Sequence, residues 1–234
     1  MCDSCLAQPE PLSADYFCVQ CRAPFLTPAP LDEQGRCALC RLGHRGFDAA
    51  YSFGFYEGTL RELIHLFKYS RIQTLARPLG NLLAKALPRE QNFDVIVPMP
   101  LHWRKRWQRG FNQAELLARE ISRRTHIPVR RLLRRVRNTS AQAGLTNAKR
   151  RLNVSGAFRA KDRSLEGKRV LLVDDVLTTG ATGAACARAL KNAGARQVTL
   201  LTVARADRRI VWDQPIPDLN LSRSSEDAQS RSIA

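Results

Sequence analysis

The chain alternates short apolar runs with amphipathic stretches, and the change-over points are marked by Gly, Pro or charged residues. Tyr51 to Tyr69 (YSFGFYEGTLRELIHLFKY) starts as alternating aromatics, a strand pattern, and turns at Glu57-Gly58 into a helix with Leu60, Leu63, Ile64 and Phe67 on one face. A second helix is expected from Gln73 to Leu87, ending near Pro88. Phe93 to Val97 (FDVIV) has the form of a buried strand stopped by Pro98 and Pro100, after which Phe111 to Arg123 resumes as helix. Arg130 to Arg151 is polar and lacks apolar periodicity, so it is expected to be a mobile loop rather than a core element. Val170 to Val173 is a buried strand, Thr182 to Ala193 a helix with small residues facing in, and Val198 to Ala204 a final strand. From Asp207 the periodicity ends in a Ser-, Asp- and Arg-rich tail, expected to be disordered. Strands alternating with helices predict an α/β fold, a parallel sheet flanked by helices.

The stretch around which these elements are organised is Val170 to Thr182, VLLVDDVLTTGAT. The apolar run passes into two adjacent carboxylates and then into hydroxyls and a glycine that open a helix. Ligands of open α/β sheets bind outside the carboxyl ends of the strands, which is where Asp174 and Asp175 fall. The hydroxyls and free N–H groups of Thr178, Thr179, Gly180, Ala181 and Thr182 face the same spot at the positive end of the helix, an arrangement that suits a phosphate. The plainer alternative is a strand, turn and helix with two solvated acids.

Composition narrows the class. Of 234 residues, 44% are hydrophobic and 25% charged, as in a soluble globular protein with one ordinary domain and a smaller one. No apolar run is long enough to span a bilayer and the N-terminus lacks a signal-peptide pattern, so a cytoplasmic location is expected. The net charge is +17, of which residues 101–169 carry +16. A block that basic beside a phosphate site fits a polyanion, either a pyrophosphate-bearing ligand or single-stranded nucleic acid; a solvated basic face is the alternative. Within it, Trp103 and Trp107 stand among Arg104, Lys105, Arg106 and Arg109, as stacking platforms for bases or as packing residues. Lys68, at the end of the first helix, either reaches a phosphate or complements the helix dipole, and His65 is a surface or boundary residue.

Six of the seven cysteines form three CxxC pairs: Cys2 and Cys5, Cys18 and Cys21, Cys37 and Cys40. In a cytosolic chain such pairs indicate metal rather than disulfides. The spacing Cys18-x2-Cys21-x15-Cys37-x2-Cys40 matches a zinc ribbon, with four thiolates for one tetrahedral ion. Cys2 and Cys5 compete for that zinc, recruit His44, or lack their partners; a pair directly after Met1 suggests a fourth CxxC encoded upstream. A redox dithiol is the remaining alternative. The expected division is a zinc-ribbon domain over 1–46, an α/β domain over 47–206 and the tail over 207–234, and loss of zinc is expected to unfold the first and spare the second.

The thirteen-residue string resembles the signature of the type I phosphoribosyltransferases. Together with the CxxC knuckles, RWQRGFNQAELLA and the QxxL and RRLN pattern, it identifies the chain by resemblance with the ComF family, the competence-associated proteins related to GntX. The likeness spans roughly residues 1 to 205, and the departure is three CxxC pairs where four are usual. It implies a type I phosphoribosyltransferase-like parallel sheet with a small N-terminal zinc ribbon built on four cysteines. It implies that Asp174 and Asp175 hold the ribose hydroxyls of phosphoribosyl pyrophosphate (PRPP), that Thr178 to Thr182 wrap its 5-phosphate, and that Pro98, Met99, Pro100, Leu101 and His102 receive its pyrophosphate. A flexible loop bearing Gln142, Arg150, Arg151 and Asn153 would close over the ligand.

Two functions follow from the resemblance. One is a DNA-uptake factor working with the competence machinery, in which ribbon and basic segment grip single-stranded DNA while the pocket binds PRPP or another phosphoribosyl ligand. The other is an Mg²⁺-dependent transfer of phosphoribose to a nucleobase-like nitrogen, with Asp174 and Asp175 as the catalytic carboxylates. The fold often forms homodimers.

Overall fold

The computed structural model describes residues 8–43, 46–101, 107–136, 156–161 and 165–206. Its N-terminal part holds a two-stranded antiparallel ribbon, β1 (Tyr16–Phe17) with β2 (Pro24–Phe25), and a one-turn helix α1 (Ala38–Arg41). There follow β3 (Ala49–Phe55), α2 (Gly58–Tyr69), a 3-10 turn (Gln73–Leu75) leading into α3 (Ala76–Lys85), β4 (Val95–Pro98) and α4 (Gln113–Thr125). After the short pair β5 (Leu133–Arg135) and β6 (Phe158–Ala160) come β7 (Arg169–Leu177), α5 (Ala181–Lys191) and β8 (Gln197–Arg205). The main sheet has the order β3-β8-β7-β4, and each of its pairings is parallel.

A parallel sheet is covered on both faces, so its strands are apolar throughout and the period of two only decides which layer each residue joins. Val170 and Leu172 of β7, Val95 and Val97 of β4 and Val198 and Leu200 of β8 pack with Cys186, Ala187 and Leu190 of α5. Leu171 and Val173, Ile96, and Leu201 and Val203 point the other way, onto Leu63, Ile64 and Phe67 of α2, Leu79 and Leu83 of α3, and Leu117 and Ile121 of α4. Leu171 and Leu172 are fully buried, each contributing roughly 2 kcal/mol by leaving water. Gly183 lets α5 close on the sheet, since a Cβ there would lie 2.9 Å from Leu200 Cδ2.

The four-cysteine knob packs on the same layer as α5. Its cysteines share a core cluster with Phe47 and Ala50. Arg205, at the carboxyl end of β8 and 1% exposed, donates from Nη1 to the Arg22 carbonyl at 2.6 Å and to the Cys21 carbonyl at 3.5 Å. Leu12 N donates to Phe53 O on the edge strand.

Two expectations are corrected. The segment expected as a loop over Arg130 to Arg151 begins with a strand, β5, paired antiparallel with β6 through Leu133↔Ala160 and Arg135↔Phe158. A lone Leu132-Leu133 among arginines carries too little local signal; its apolar partners Ala157 and Phe158 lie more than twenty residues on, and Leu133, Ala157 and Phe158 are all buried. The helix expected from Gln73 opens as a 3-10 turn, and its α-helical part is Ala76–Lys85.

Candidate functional site

Period two sends the adjacent carboxylates of β7 to opposite layers. Asp174 joins the α5 side, in a small cleft of about 50 Å³ lined by Met99, Asp174, Thr178, Gly180, Thr182 and Gly183 among others. The chain leaves β7 at Leu177 and enters α5 at Ala181 through Gly180, whose φ of 76° would strain any residue with a Cβ. Thr179 Oγ1 accepts from Ala181 N at 3.4 Å, shaping the turn. An eleven-residue helix therefore presents its first-turn N–H groups and threonine hydroxyls beside a carboxylate, the elements that a phosphorylated sugar needs: donors for the phosphate and acceptors for its hydroxyls.

Asp175 turns to the α2 side, where Lys68 Nζ lies 2.9 Å from its Oδ1, both side chains largely buried. Burial opposes the charged form of Lys68, yet the Asp175 carboxylate, joined by Asp174 and Tyr56, outweighs it and holds the ammonium above its ordinary range. Asp174 has no cation in contact among the described residues. Burial, and then the neighbouring Asp175 charge, push its carboxyl up to about 7, against the Asp175 backbone N–H, Lys68 and Arg109, which pull it down. The two carboxylates thus differ in surroundings: Asp175 is paired with Lys68, while Asp174 is poised to take up or release a proton near neutral pH. Cys186 on α5 is fully buried and burial drives its thiol well up, so it packs as an inert small apolar group.

The segment RGFNQ (109–113) fixes this layer. Asn112 caps α4 by accepting from Ala114 N at 3.2 Å and donates through Nδ2 to the Met99 carbonyl at 3.0 Å. Met99 N in turn donates to Val173 O at 2.8 Å, so the turn after β4 is held against β7 directly before the carboxylates. Gln113, 1% exposed, accepts from Arg109 Nη1 and donates to the Phe67 carbonyl, while Phe111 packs on Phe67 with ring centroids 5.5 Å apart. These bonds join the end of α2, which carries Lys68, to the start of α4.

In the N-terminal knob the Sγ atoms of Cys18, Cys21, Cys37 and Cys40 all lie within 4.8 Å of one another and all four residues are buried. Cys18–Cys40 and Cys21–Cys37 are each 3.7 Å apart. Four sulfurs at ~2.3 Å from a central ion stand about 3.8 Å apart, so the cluster fits a tetrahedral metal such as zinc. Cys18 Sγ accepts from the backbone N–H groups of Cys21 at 3.5 Å and Cys37 at 3.3 Å. A bound metal would take all four as thiolates, and the two backbone N–H donors to Cys18 Sγ favour that charged form.

A family model described as a phosphoribosyl transferase domain matches residues 108–220, which include α4, β7, α5 and β8. Competence protein F of Haemophilus influenzae is 33% identical over 179 residues, 73% of this chain and 78% of that one. The chain belongs to the ComF family. Other members resemble it to the same degree: DNA utilization protein YhgH of Escherichia coli K12 is 33% identical over 81% of this chain and 84% of that protein. Competence protein ComFC of Bacillus subtilis is 33% identical over 64% and 62%.

Of the ComF residues singled out from sequence, the structure gathers Met99, Asp174, Thr178, Gly180 and Thr182 around one cleft. Ala181 is the first residue of α5, Pro98 ends β4, and Pro100 and Leu101 continue the turn. Asp175 lies on the other layer with Lys68. Cys2, Cys5, His44, His102, Trp103, Arg104, Lys105, Arg106, Gln142, Arg150, Arg151 and Asn153 lie outside the described residues, as does the tail from 207. The sequence reading missed Asn112 and Gln113 as positioning residues; an Asn-Gln pair opening an apolar helix is the N-cap signal that could have found Asn112. It also missed Tyr69, whose aromatic neighbour one turn earlier, His65, is a helical i, i+4 pair.

Proposed function

We propose that the protein is a DNA-uptake factor of natural competence whose phosphoribosyltransferase-type cleft binds PRPP or another phosphoribosyl ligand and whose basic segment engages single-stranded DNA. The observation that carries the ligand is the cleft itself, an acidic strand end and a Thr/Gly helix start lined up with the turn after β4. In this reading Asp174 and Asp175 take the ribose hydroxyls, Thr178, Thr179, Gly180, Ala181 and Thr182 the 5-phosphate, and Pro98, Met99, Pro100 and Leu101 the pyrophosphate. Mg²⁺ arriving with PRPP would neutralise the pyrophosphate oxygens. Zinc in the Cys18, Cys21, Cys37 and Cys40 cluster would hold the knob folded. The +16 charge of residues 101–169 and the names of the relatives, two competence proteins and a DNA utilization protein, support the nucleic-acid half. We further propose the division into 1–46, 47–206 and a tail, a cytoplasmic site of action and a homodimer as the working form.

A second reading, an active phosphoribosyltransferase acting on a nitrogen nucleophile, is favoured by the poised Asp174 beside the paired Asp175. One experiment separates them. Zinc-loaded protein is assayed for binding to single-stranded and duplex DNA, and for pyrophosphate release from PRPP and Mg²⁺ with a panel of nucleobases. The uptake reading expects single strands to bind more tightly than duplex and no base to accelerate release. Base-dependent pyrophosphate release would establish the enzyme instead, and absence of DNA binding would overturn the nucleic-acid half.

A further inference from the structure

The exposed end of α2 carries an aromatic and cationic ridge that neither the cleft nor the core uses. His65 and Tyr69, one turn apart, have ring centroids 4.6 Å apart at 43°. The Arg109 guanidinium sits over the Tyr69 ring, 5.2 Å from its centroid. Arg71, in the left-handed region at φ 56°, donates through Nη2 to the Gln108 carbonyl at 3.0 Å, and so pins residues 107–109 against the helix end. Trp107, in that pinned segment, is 83% exposed and Tyr69 60%. Large exposed aromatics offer flat apolar faces that a partner can cover, and the core beneath is already filled by Phe67 and Phe111.

The ridge adjoins the cleft. Lys68 points inward to Asp175 while Tyr69, the next residue, points out, and the Arg109 that covers Tyr69 is close enough to Asp174 to lower its carboxyl. We infer that His65, Tyr69, Arg109 and Trp107 form a stacking site for the bases of single-stranded DNA, laid along the edge of the phosphoribosyl cleft. Unpaired bases have free π-faces that suit aromatic and guanidinium planes, whereas duplex DNA hides them. Arg71 and Arg109 supply positive charge for the backbone phosphates, and the exposed Glu62, one turn before His65, bounds the ridge toward the start of α2. This inference rests on the single-strand reading above and adds where the bases bind.

The test is fluorescence anisotropy of a labelled oligothymidylate of roughly a dozen nucleotides, titrated with the full zinc-loaded chain over a range of salt. Tyr69→Ala and Trp107→Ala are each expected to weaken binding about tenfold and the double variant about a hundredfold. The salt slope should stay at the wild-type value, since stacking releases no counterions. Tyr69→Phe with Trp107→Tyr should restore binding, and far-UV circular dichroism should be unchanged throughout. A double variant within about twofold of wild type overturns the inference while leaving single-strand binding intact. Wild-type protein that binds no DNA overturns both. If free thymidine monophosphate competes as well as the oligonucleotide, the ridge is a pocket for single nucleotides, which also overturns it.

Discussion

At the scale of single residues, the chemistry of the cleft rests on what each carboxylate faces. Asp175 and Lys68 form a largely buried pair, so removing one partner strands the other's charge. Lys68→Met is expected to cost about 3 kcal/mol, seen as a drop of several degrees in melting temperature, and Lys68→Met with Asp175→Asn should recover much of it. Equal melting of the single and double variants would show that the pair contributes nothing. Asp174 has no such partner among the described residues: its folded value of about 7 stands above its ordinary 3.8, so the native state keeps a proton that the unfolded chain has lost. Stability from that proton is fully present below about 4 and disappears as pH rises through about 7. Asp174→Asn should therefore raise the melting temperature by several degrees at pH ~8 and by little at pH ~4; a gain that does not grow with pH would refute the burial argument. The sequence revealed the carboxylates as a pair, because two acids ending an apolar run have no packing role. It did not reveal that they face different layers, since Lys68 lies more than a hundred residues away and its even choice between phosphate and helix dipole is resolved only by the packing of α2 on β7.

At the scale of elements, β4, β7 and β8 and the helices between them were legible because each apolar run is short and the changes of period fall at prolines and glycines. The strands β5 and β6 were not, because each is three residues long and forms only on contact with the other and with α5. The connection that matters most for the site is the start of α4. Asn112 caps the helix and ties it to Met99, so Asn112→Ala removes the cap and a hydrogen bond to the turn beside Asp174. A loss of about 1–2 kcal/mol in urea unfolding is expected, with weaker phosphoribosyl-ligand binding in the same variant. Unchanged ligand affinity would mean that the turn after β4 holds its place without α4.

At the scale of the whole molecule, the cysteine knob and the sheet are less separable than their sequences suggest. The CxxC spacing was legible and the structure brings the four thiols together as expected, but the composition break near Gly43 to Gly46 hides a buried link. Arg205 belongs to the last strand and spends its hydrogen bonds on the knuckle carbonyls of Cys21 and Arg22. Chelation that opens the knuckle removes those acceptors from a buried cation, at a cost of a few kcal/mol. The α/β domain is thus expected to melt at a lower temperature after chelation, against the independence that domain boundaries alone imply; an unchanged main transition would restore that independence.

The central claim is that the carboxyl end of β7 and the start of α5 form a live phosphoribosyl site. Its most direct test is calorimetric titration of PRPP with Mg²⁺ into the zinc-loaded chain, beside the Asp174→Ala, Asp175→Ala double variant. Saturable heat from the wild type and none from the folded variant is the predicted result. No heat from either would contradict the claim and leave the cleft as an inherited feature of the fold.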